Sequence, residues 1–533
     1  MLNRTTPHLT VDRFVHAMAE HMTTVAQQLS DWSSRELPDV HALEEQVLRT
    51  VKALGSLLVT GLCHLLVPRY PSPTHPCACG ATAVFQRLRP ATCCSVLGPI
   101  TLHRPYYLCP TCHQGCAPLD HQLGVCAGSR SAGLDELLAL LGAPQDSFAA
   151  AATVLERLTL VHVAPNTVRA ATEPLGAVLA EVEQVQVTAL QTGHPPAVTS
   201  PTPAGPLGVS LDGVQAHLTP DGWKELCVGA VYQVRPGCPP PGRRVDAVQA
   251  EAISSVAELG SRRDAFGWQL YAEAQRRGAT TTEVAVLGDG APWLWELAAL
   301  HFPQATQILD WFHATEYIWS AATAIWGERH PERTNWAEQQ LRALWAGQVA
   351  TVLTALQAHL AVGEAVRVAQ TYFTNQQARM DYPAYRARGL PIGSGTIESG
   401  CKQLVSARLK QAGMIWCAAG AQQVVKVRAW LKSGRWAEAM AVRPRRQRGY
   451  ARRHGQMDDR GETAREGGAV LAACVEGAEH GGAARLSPDM VAAVQTALTH
   501  ERTQHPWKRA WSRRQQRREM ERHRSEPAVV SSA

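Results

Sequence analysis

Leu207-Gly-Val-Ser-Leu-Asp-Gly213 and Val284-Ala-Val-Leu-Gly-Asp-Gly290 share one pattern, a short apolar run followed by Asp and then Gly. Apolar runs of this length, bounded by turn residues, read as buried strands. Between them, residues 226–234 and 252–256 read as two more strands, and residues 264–277 as a helix. Beyond the second stretch, Pro292 suits the first turn of a helix over residues 291–301. Residues 306–309 then read as a fifth strand, which ends at Asp310.

Three strands, a helix, a strand, a helix and a strand is the element order of an RNase-H-like α/β core. Residues 314–390 follow with a wholly helical pattern rich in tryptophan, and read as an all-helical insertion. The chain returns at Pro391, and residues 396–430 read as one long closing helix with an interruption at Gly413. The expected fold class is therefore multidomain α/β, with a core of residues 207–313 and 391–436 interrupted by the insertion. Ahead of it lie a helical region (residues 1–66), a cysteine-rich ribbon-like domain (67–130), a helix-turn-helix-like region (131–185) and a Pro/Thr-rich linker (186–206). Residues 437–533 turn Arg-, Gly- and Glu-rich and read as a flexible basic end, with periodicity returning only at residues 488–500.

The chain has 533 residues, 45% of them apolar, enough for several packed domains. Its formal charge is +6, and residues 501–525 alone carry nine Lys and Arg against three Glu, also a net of +6. A short stretch of that charge favours a polyanion such as DNA, with salt-dependent binding. The beginning of the chain shows no secretory pattern, and no apolar run is long enough to span a bilayer, so a soluble, cytoplasmic protein without membrane contact is expected. Nine of the fourteen cysteines fall between Cys63 and Cys126, a clustering that points to a metal site in a reducing compartment.

Strand ends in open α/β sheets line the crevice where ligand chemistry is sited. Asp212 and Asp289 stand at two such ends, and Glu398, just after Pro391-Ile-Gly-Ser-Gly395, can add a third carboxylate from the closing helix. Hard cations such as Mg²⁺ or Mn²⁺ prefer carboxylate oxygens, and a pair of them roughly 3.5–4 Å apart serves in-line displacement at phosphorus. Asp-Gly pairs are also ordinary turn formers. Asp310 and His313 form a site-associated pair, in which the acid orients the imidazole or the two simply satisfy each other.

Cys77 and Cys79, then Cys109 and Cys112, form two knuckle-like pairs with 29 residues between Cys79 and Cys109. Four thiolates match structural Zn²⁺, although the first pair has one intervening residue instead of two, and Cys93, Cys94 or Cys116 could substitute. Residues 147–158 and 163–169 read as two helices with a tight link, Asn166 a possible cap, and Thr167 and Arg169 as probes of a major groove. Trp311, Trp319, Trp326, Trp336 and Trp345 suit either a core or base stacking. Lys402, Arg408, Lys410, Lys426, Arg428 and Lys432 are candidates for phosphate contacts beside the acids.

Val209-Ser-Leu-Asp-Gly213, Leu287-Gly-Asp-Gly-Ala291, Asp310-Trp-Phe-His313, Pro391-Ile-Gly-Ser-Gly-Thr-Ile-Glu-Ser399 and Arg104-Pro-Tyr-Tyr-Leu-Cys109 together resemble ISKra-type bacterial insertion-sequence transposases, of the mutator-like Asp-Asp-Glu group. The resemblance covers most of residues 65–436. It implies Asp212, Asp289 and Glu398 as catalytic metal ligands, and double-stranded DNA (element ends and target) as substrate. Pairing of two ends implies a homodimer or larger assembly on DNA.

Overall fold

A computed structural model describes residues 11–33, 39–67, 72–124, 130–198, 205–234, 250–259 and 263–443. The expected basic stretch 501–525 and the periodic segment 488–500 lie outside the described residues, as does all of 437–533 beyond residue 443. The protein is mixed α/β with two sheets among the described residues. It divides into two compact units, with the boundary between Val178 and Leu179.

The first unit opens with α1 (Val11–Ser33) and α2 (Val40–Leu65). Asp39 caps α2 by accepting from the Ala42 N–H at 2.8 Å. A four-stranded antiparallel sheet follows, in the order β1 (Thr74–Pro76), β2 (Thr82–Ser95), β3 (Gly98–Leu108), β4 (Gly115–Cys116). The β2–β3 hairpin is paired from Val84↔Leu108 to Ser95↔Gly98, and Gly98 takes the positive φ (115°) of its turn. After α3 (Pro118–Leu123), Ser131 and Ser147 cap α4 (Ala132–Gly142) and α5 (Phe148–Thr159). Leu134, Leu138, Leu155 and Val168 form a small core between these helices and α6 (Pro165–Gln191). This last helix extends six residues into the expected linker and is 27 residues long. Asn166 is its second residue, so it is not the cap: Pro165, with no N–H to offer, already occupies the first helical position.

In the second unit the sheet order is β7 (Ala250–Leu259), β6 (Gly222–Val234), β5 (Leu207–Leu218), β8 (Val284–Gly288), β9 (Thr306–Leu309). The β5–β6 and β6–β7 pairs are antiparallel, while β5–β8 and β8–β9 are parallel. Helices α7 (Arg263–Arg276) and α8 (Pro292–His301) connect the strands as expected. One expectation is corrected. The first strand does not end at Asp212 but runs on to Leu218, paired with β6 throughout. Val214, Ala216 and Leu218 are buried while Gln215 and His217 are exposed, so the segment after Gly213 is a half-buried strand. Gly213 is a strand residue with the Glu225 side chain where its Cβ would be, and no turn forms there.

Helices α9 (Trp311–Trp326), α10 (Pro331–Trp345), α11 (Val349–Gln357), α12 (Glu364–Gln376) and α13 (Tyr382–Ala387) follow β9. They share one hydrophobic core with the sheet. Trp311 and Trp336 are buried in it, and the partly buried Trp319, Trp326 and Trp345 pack against it, so all five serve the core. The expected single closing helix is broken. Helix α14 (Gly395–Cys401) passes into a π-helical turn at Lys402–Ser406 and a last turn at Ala407–Leu409. Gly413, at φ 76°, then turns the chain before α15 (Ala418–Lys432) and α16 (Trp436–Ala441).

Lys426 of α15 is fully buried, and its ammonium meets Glu183 of α6, Glu258 of β7 at 3.0 Å and Gln269 of α7 at 2.8 Å. Trp430 Nε1 donates to the other Glu183 oxygen at 2.7 Å. Lys426 and Arg428, which donates to the carbonyls of Leu404 and Gln403, are therefore structural cations and not phosphate contacts.

Candidate functional site

The register of the parallel strands decides where the acids stand. Ser210 pairs with Leu287, so two more steps set Asp212 beside Asp289; Gly288 pairs with Leu309, so one more step sets Asp289 beside Asp310. Neighbouring strands lie about 4.8 Å apart. Asp212 thus lies within β5, while Asp289 and Asp310 each stand one residue past the ends of the neighbouring β8 and β9. On β5 the alternation puts Asp212 on the face carrying Ser210 and Val214, the face α14 packs against.

The three aspartates have unequal environments. The Asp212 carboxylate accepts from the Gly213 N–H at 2.7 Å and from the Cys401 thiol at 3.6 Å. Burial raises its pKa, the Gly213 N–H pulls the other way, and the charge of Asp289 adds to the rise. Asp289 accepts from the Ala291 N–H at 2.9 Å in a true turn, where Gly290 has φ 104°. Asp310 is fully buried and caps α9: one oxygen takes both the His313 N–H (2.8 Å) and the ring Nδ1 (2.6 Å). The hydrogen bond that the His313 ring donates to Asp310 lifts the His313 pKa to about 9, against the opposing effect of burial. His313 is therefore an imidazolium at neutral pH, and it also feels the Asp289 charge.

The folded pKa of His313 lies above the ordinary value near 6.5, so the stabilisation from this pair is complete below that pH and is lost as pH rises through 9. An NMR titration of the His313 ring should show a midpoint near 9 that Asp310→Asn returns toward 6.5. A wild-type midpoint near 6.5 would refute the pairing.

Glu398 lies on α14, three residues before Cys401, hence on the same side of the helix. Ser394 Oγ donates to it at 2.7 Å, and Lys402 Nζ stands 4.0 Å from its second oxygen. Burial raises the Cys401 pKa, and both Asp212 and Glu398 push it further. Cys401 thus touches the acid of the strand and feels the charge of the acid on its own helix. Among the described residues, the three carboxylates are not closed into a group as tight as the four sulfurs described below.

Two residues invisible to the sequence reading brace the second acid. Tyr372 Oη of α12 donates to the Asp289 carbonyl at 2.8 Å, and Gln376 Nε2 donates to the Gly290 carbonyl at 2.9 Å. The Tyr372 ring stacks on Tyr317 at 3.8 Å and lies 2.8 Å from where a Cβ on Gly290 would stand. Arg379 in turn holds Gln376 and Gln307 of β9. Tyr372 and Gln376 are four residues apart on a helix, but nothing in the sequence ties that helix to a turn 83 residues upstream.

Of the remaining basic candidates, Lys402, Lys410 and Lys432 are exposed. Arg408 is 1% exposed, set over the Trp416 ring with Nη1 on Met414 Sδ at 3.6 Å. It is packed as a core residue and cannot reach a phosphate, which corrects its place among the expected DNA contacts. In the first unit, Thr167 is half-buried and Arg169 exposed, with Glu173 one turn further on.

The four cysteines do come together. Cys77 and Cys79 sit in the β1–β2 turn, where the Gly80 N–H donates to the Cys77 carbonyl; Cys109 and Cys112 sit in the β3–β4 turn. Sulfurs of Cys77 and Cys112 are 3.5 Å apart, those of Cys79 and Cys109 3.7 Å, and all four lie within 4.8 Å of one another. A tetrahedral ion with Zn–S bonds near 2.3 Å separates its sulfurs by roughly 3.8 Å, so the group could hold a metal such as zinc. The one-residue first knuckle closes as well as the ordinary one. Backbone N–H groups of Cys112 and Thr111 lower the Cys109 pKa while burial and the neighbouring thiols raise that of Cys112, so in the metal-free group Cys109 gives up its proton first. Cys93, Cys94 and Cys116 stand outside the group.

Among the described residues no helix is long and apolar enough to cross a membrane. The chain matches no family model and no curated protein.

Proposed function

We propose that the chain is a DNA transposase of the mutator-like, ISKra-type class, with an RNase-H-like catalytic core in residues 207–313 and 391–436. The observation that carries the reading is the approach of Asp212 on β5 to Asp289, one residue past the end of the parallel strand β8, with the thiol of Cys401, three residues after Glu398 on α14, donating to Asp212. Two acids with one partly desolvated is a poor arrangement for stability and a good one for a hard cation, which keeps several waters and needs no closed cage of protein ligands.

In this reading Asp212, Asp289 and Glu398 hold Mg²⁺ or Mn²⁺, which supplies charge neutralisation and a lowered pKa for the attacking water. Water cleaves a phosphodiester at the element end, leaving a 3′-hydroxyl and a 5′-phosphate. That hydroxyl then attacks a target phosphodiester, forming one P–O bond and releasing a target 3′-hydroxyl. His313, held as a cation by Asp310, faces the scissile phosphate. The ribbon with Zn²⁺ and helices α5 and α6, through Thr167 and Arg169, serve DNA recognition.

The test is a Mg²⁺-dependent assay on duplexes carrying the DNA that flanks the gene. Cleaved and joined products are expected. Cleavage without joining would leave a plain nuclease, and no cleavage a DNA-binding regulator.

Two further results follow. Tyr372→Phe loses one hydrogen bond, worth about 1 kcal/mol, at the backbone of a proposed ligand. The Mg²⁺ concentration for half-maximal cleavage should rise severalfold, with the rate at saturating Mg²⁺ nearly unchanged; an unchanged Mg²⁺ dependence would remove the brace. Lys402→Ala with Lys410→Ala should reduce the slope of log affinity against log salt by about 2. An unaltered slope would place the phosphates elsewhere.

A further inference from the structure

Helix α2 presents three distinct faces. Lys52 and Ser56 donate to the carbonyls of Val96 and Pro99, and Val59 and Cys63 pack on the ribbon's Cys93–Ile100–Leu102 cluster. A second face meets α1, where the Phe14 ring occupies the space a Cβ on Gly61 would need. The third is open among the described residues: Val47, Val51, Leu58 and Leu62 are 51, 55, 41 and 56% exposed. On α1, Val11, Val15 and Met22 are likewise 62, 59 and 49% exposed.

This is not the ordinary scatter of surface apolar residues. Of the twenty-one large apolar side chains exposed among the described residues, eleven lie on α1 and α2. Steps of 43, 47, 51, 54, 58, 62 and 65 run at four, four and three, an eleven-residue period that keeps the stripe on one side of a nearly straight helix. None of those seven positions is charged.

We propose that this face is the interface with a second copy of the chain, two α1–α2 hairpins packing as a four-helix bundle. The charge of the helices decides the occupant. Asp12, Glu20, Asp31, Glu44 and Glu45 outnumber Arg13, Arg49 and Lys52. A helix lying on a membrane carries a basic polar face, and a DNA contact needs positive charge; neither fits a net acidic hairpin. About ten Val, Leu and Met side chains, each roughly half exposed, amount to some 800 Å² per copy, the half-share of a standard specific interface. Identical faces meet under a two-fold axis without further complementarity.

Light scattering on the size-fractionated full chain, at roughly 10 µM, tests this without reference to cleavage, so it stands apart from the catalytic reading. The wild type is expected at twice the 57.8 kDa chain mass. Val51→Glu with Leu58→Glu should give the single-chain mass with zinc content and circular dichroism unchanged, and Val15→Glu should repeat the effect from α1 if the double variant misfolds. Trp223→Glu, which charges an equally exposed apolar site elsewhere, should leave the pair intact. A monomeric wild type, leaving the face to a segment of the same chain or another protein, would overturn the proposal. So would a pair that survives both Val51→Glu/Leu58→Glu and Val15→Glu.

Discussion

Asp212→Asn and Asp289→Asn should each lower Mg²⁺-dependent strand cleavage by about a thousandfold or more, some 4 kcal/mol of transition-state stabilisation, while leaving binding to element ends within about twofold. Each variant keeps the volume of its side chain and the acceptor oxygen used by Gly213 or Ala291, so the fold has no reason to change. It removes the negative charge a hard cation needs. Asp212→Asn should in addition stabilise the metal-free protein slightly, because burial and the Asp289 charge disfavour its ionised form. Greater stability together with lost activity distinguishes a site acid from a structural one. Cleavage at the wild-type rate in either variant would sink the assignment.

The second large effect belongs to the ribbon. Cys109→Ser should abolish stoichiometric zinc and unfold the knuckle end of the sheet, where β1 and β4 pair with β2 and β3. Structural zinc in small domains contributes apparent free energies of roughly 10–16 kcal/mol at neutral pH. Little else holds the knuckles, whose buried apolar support is Ala83 and Tyr107 besides the sulfurs. Chelation of the wild type should reproduce the loss, whereas Cys93→Ser, outside the sulfur group, should keep the metal. Metal analysis of the purified variants reads both. A purified wild type free of zinc would remove the metal from the account.

Much of the second unit was legible from periodicity, because its strands are short apolar runs bounded by glycine and proline. The fifth strand, 306–309, is found where expected. Asp212 shows the limit. Asp-Gly punctuates sequences as a turn, and only the pairing with β6 reveals that the strand continues and that Gly213 is there to admit Glu225. The closing helix misled for a similar reason: its apolar spacing survives the π turn, and Gly413 weakens a helix without locating its end. Arg408 read as a surface charge because the break after Leu409 folds Trp416 back onto it, which helical spacing does not foretell, and Lys426 because its burial depends on Glu183 and Glu258, far away in the chain. The brace on Asp289 was invisible for the same reason.

The central claim is that Asp212 and Asp289 with Glu398 form a hard-cation site, and direct titration of the full chain with Mn²⁺, followed by electron paramagnetic resonance with zinc already bound to the cysteines, tests it. The account predicts saturable Mn²⁺ binding that Mg²⁺ displaces, that Asp212→Asn and Asp289→Asn each abolish, and that Tyr372→Phe weakens severalfold. Mn²⁺ bound equally by the wild type and by both aspartate variants, or by none of them, would contradict it.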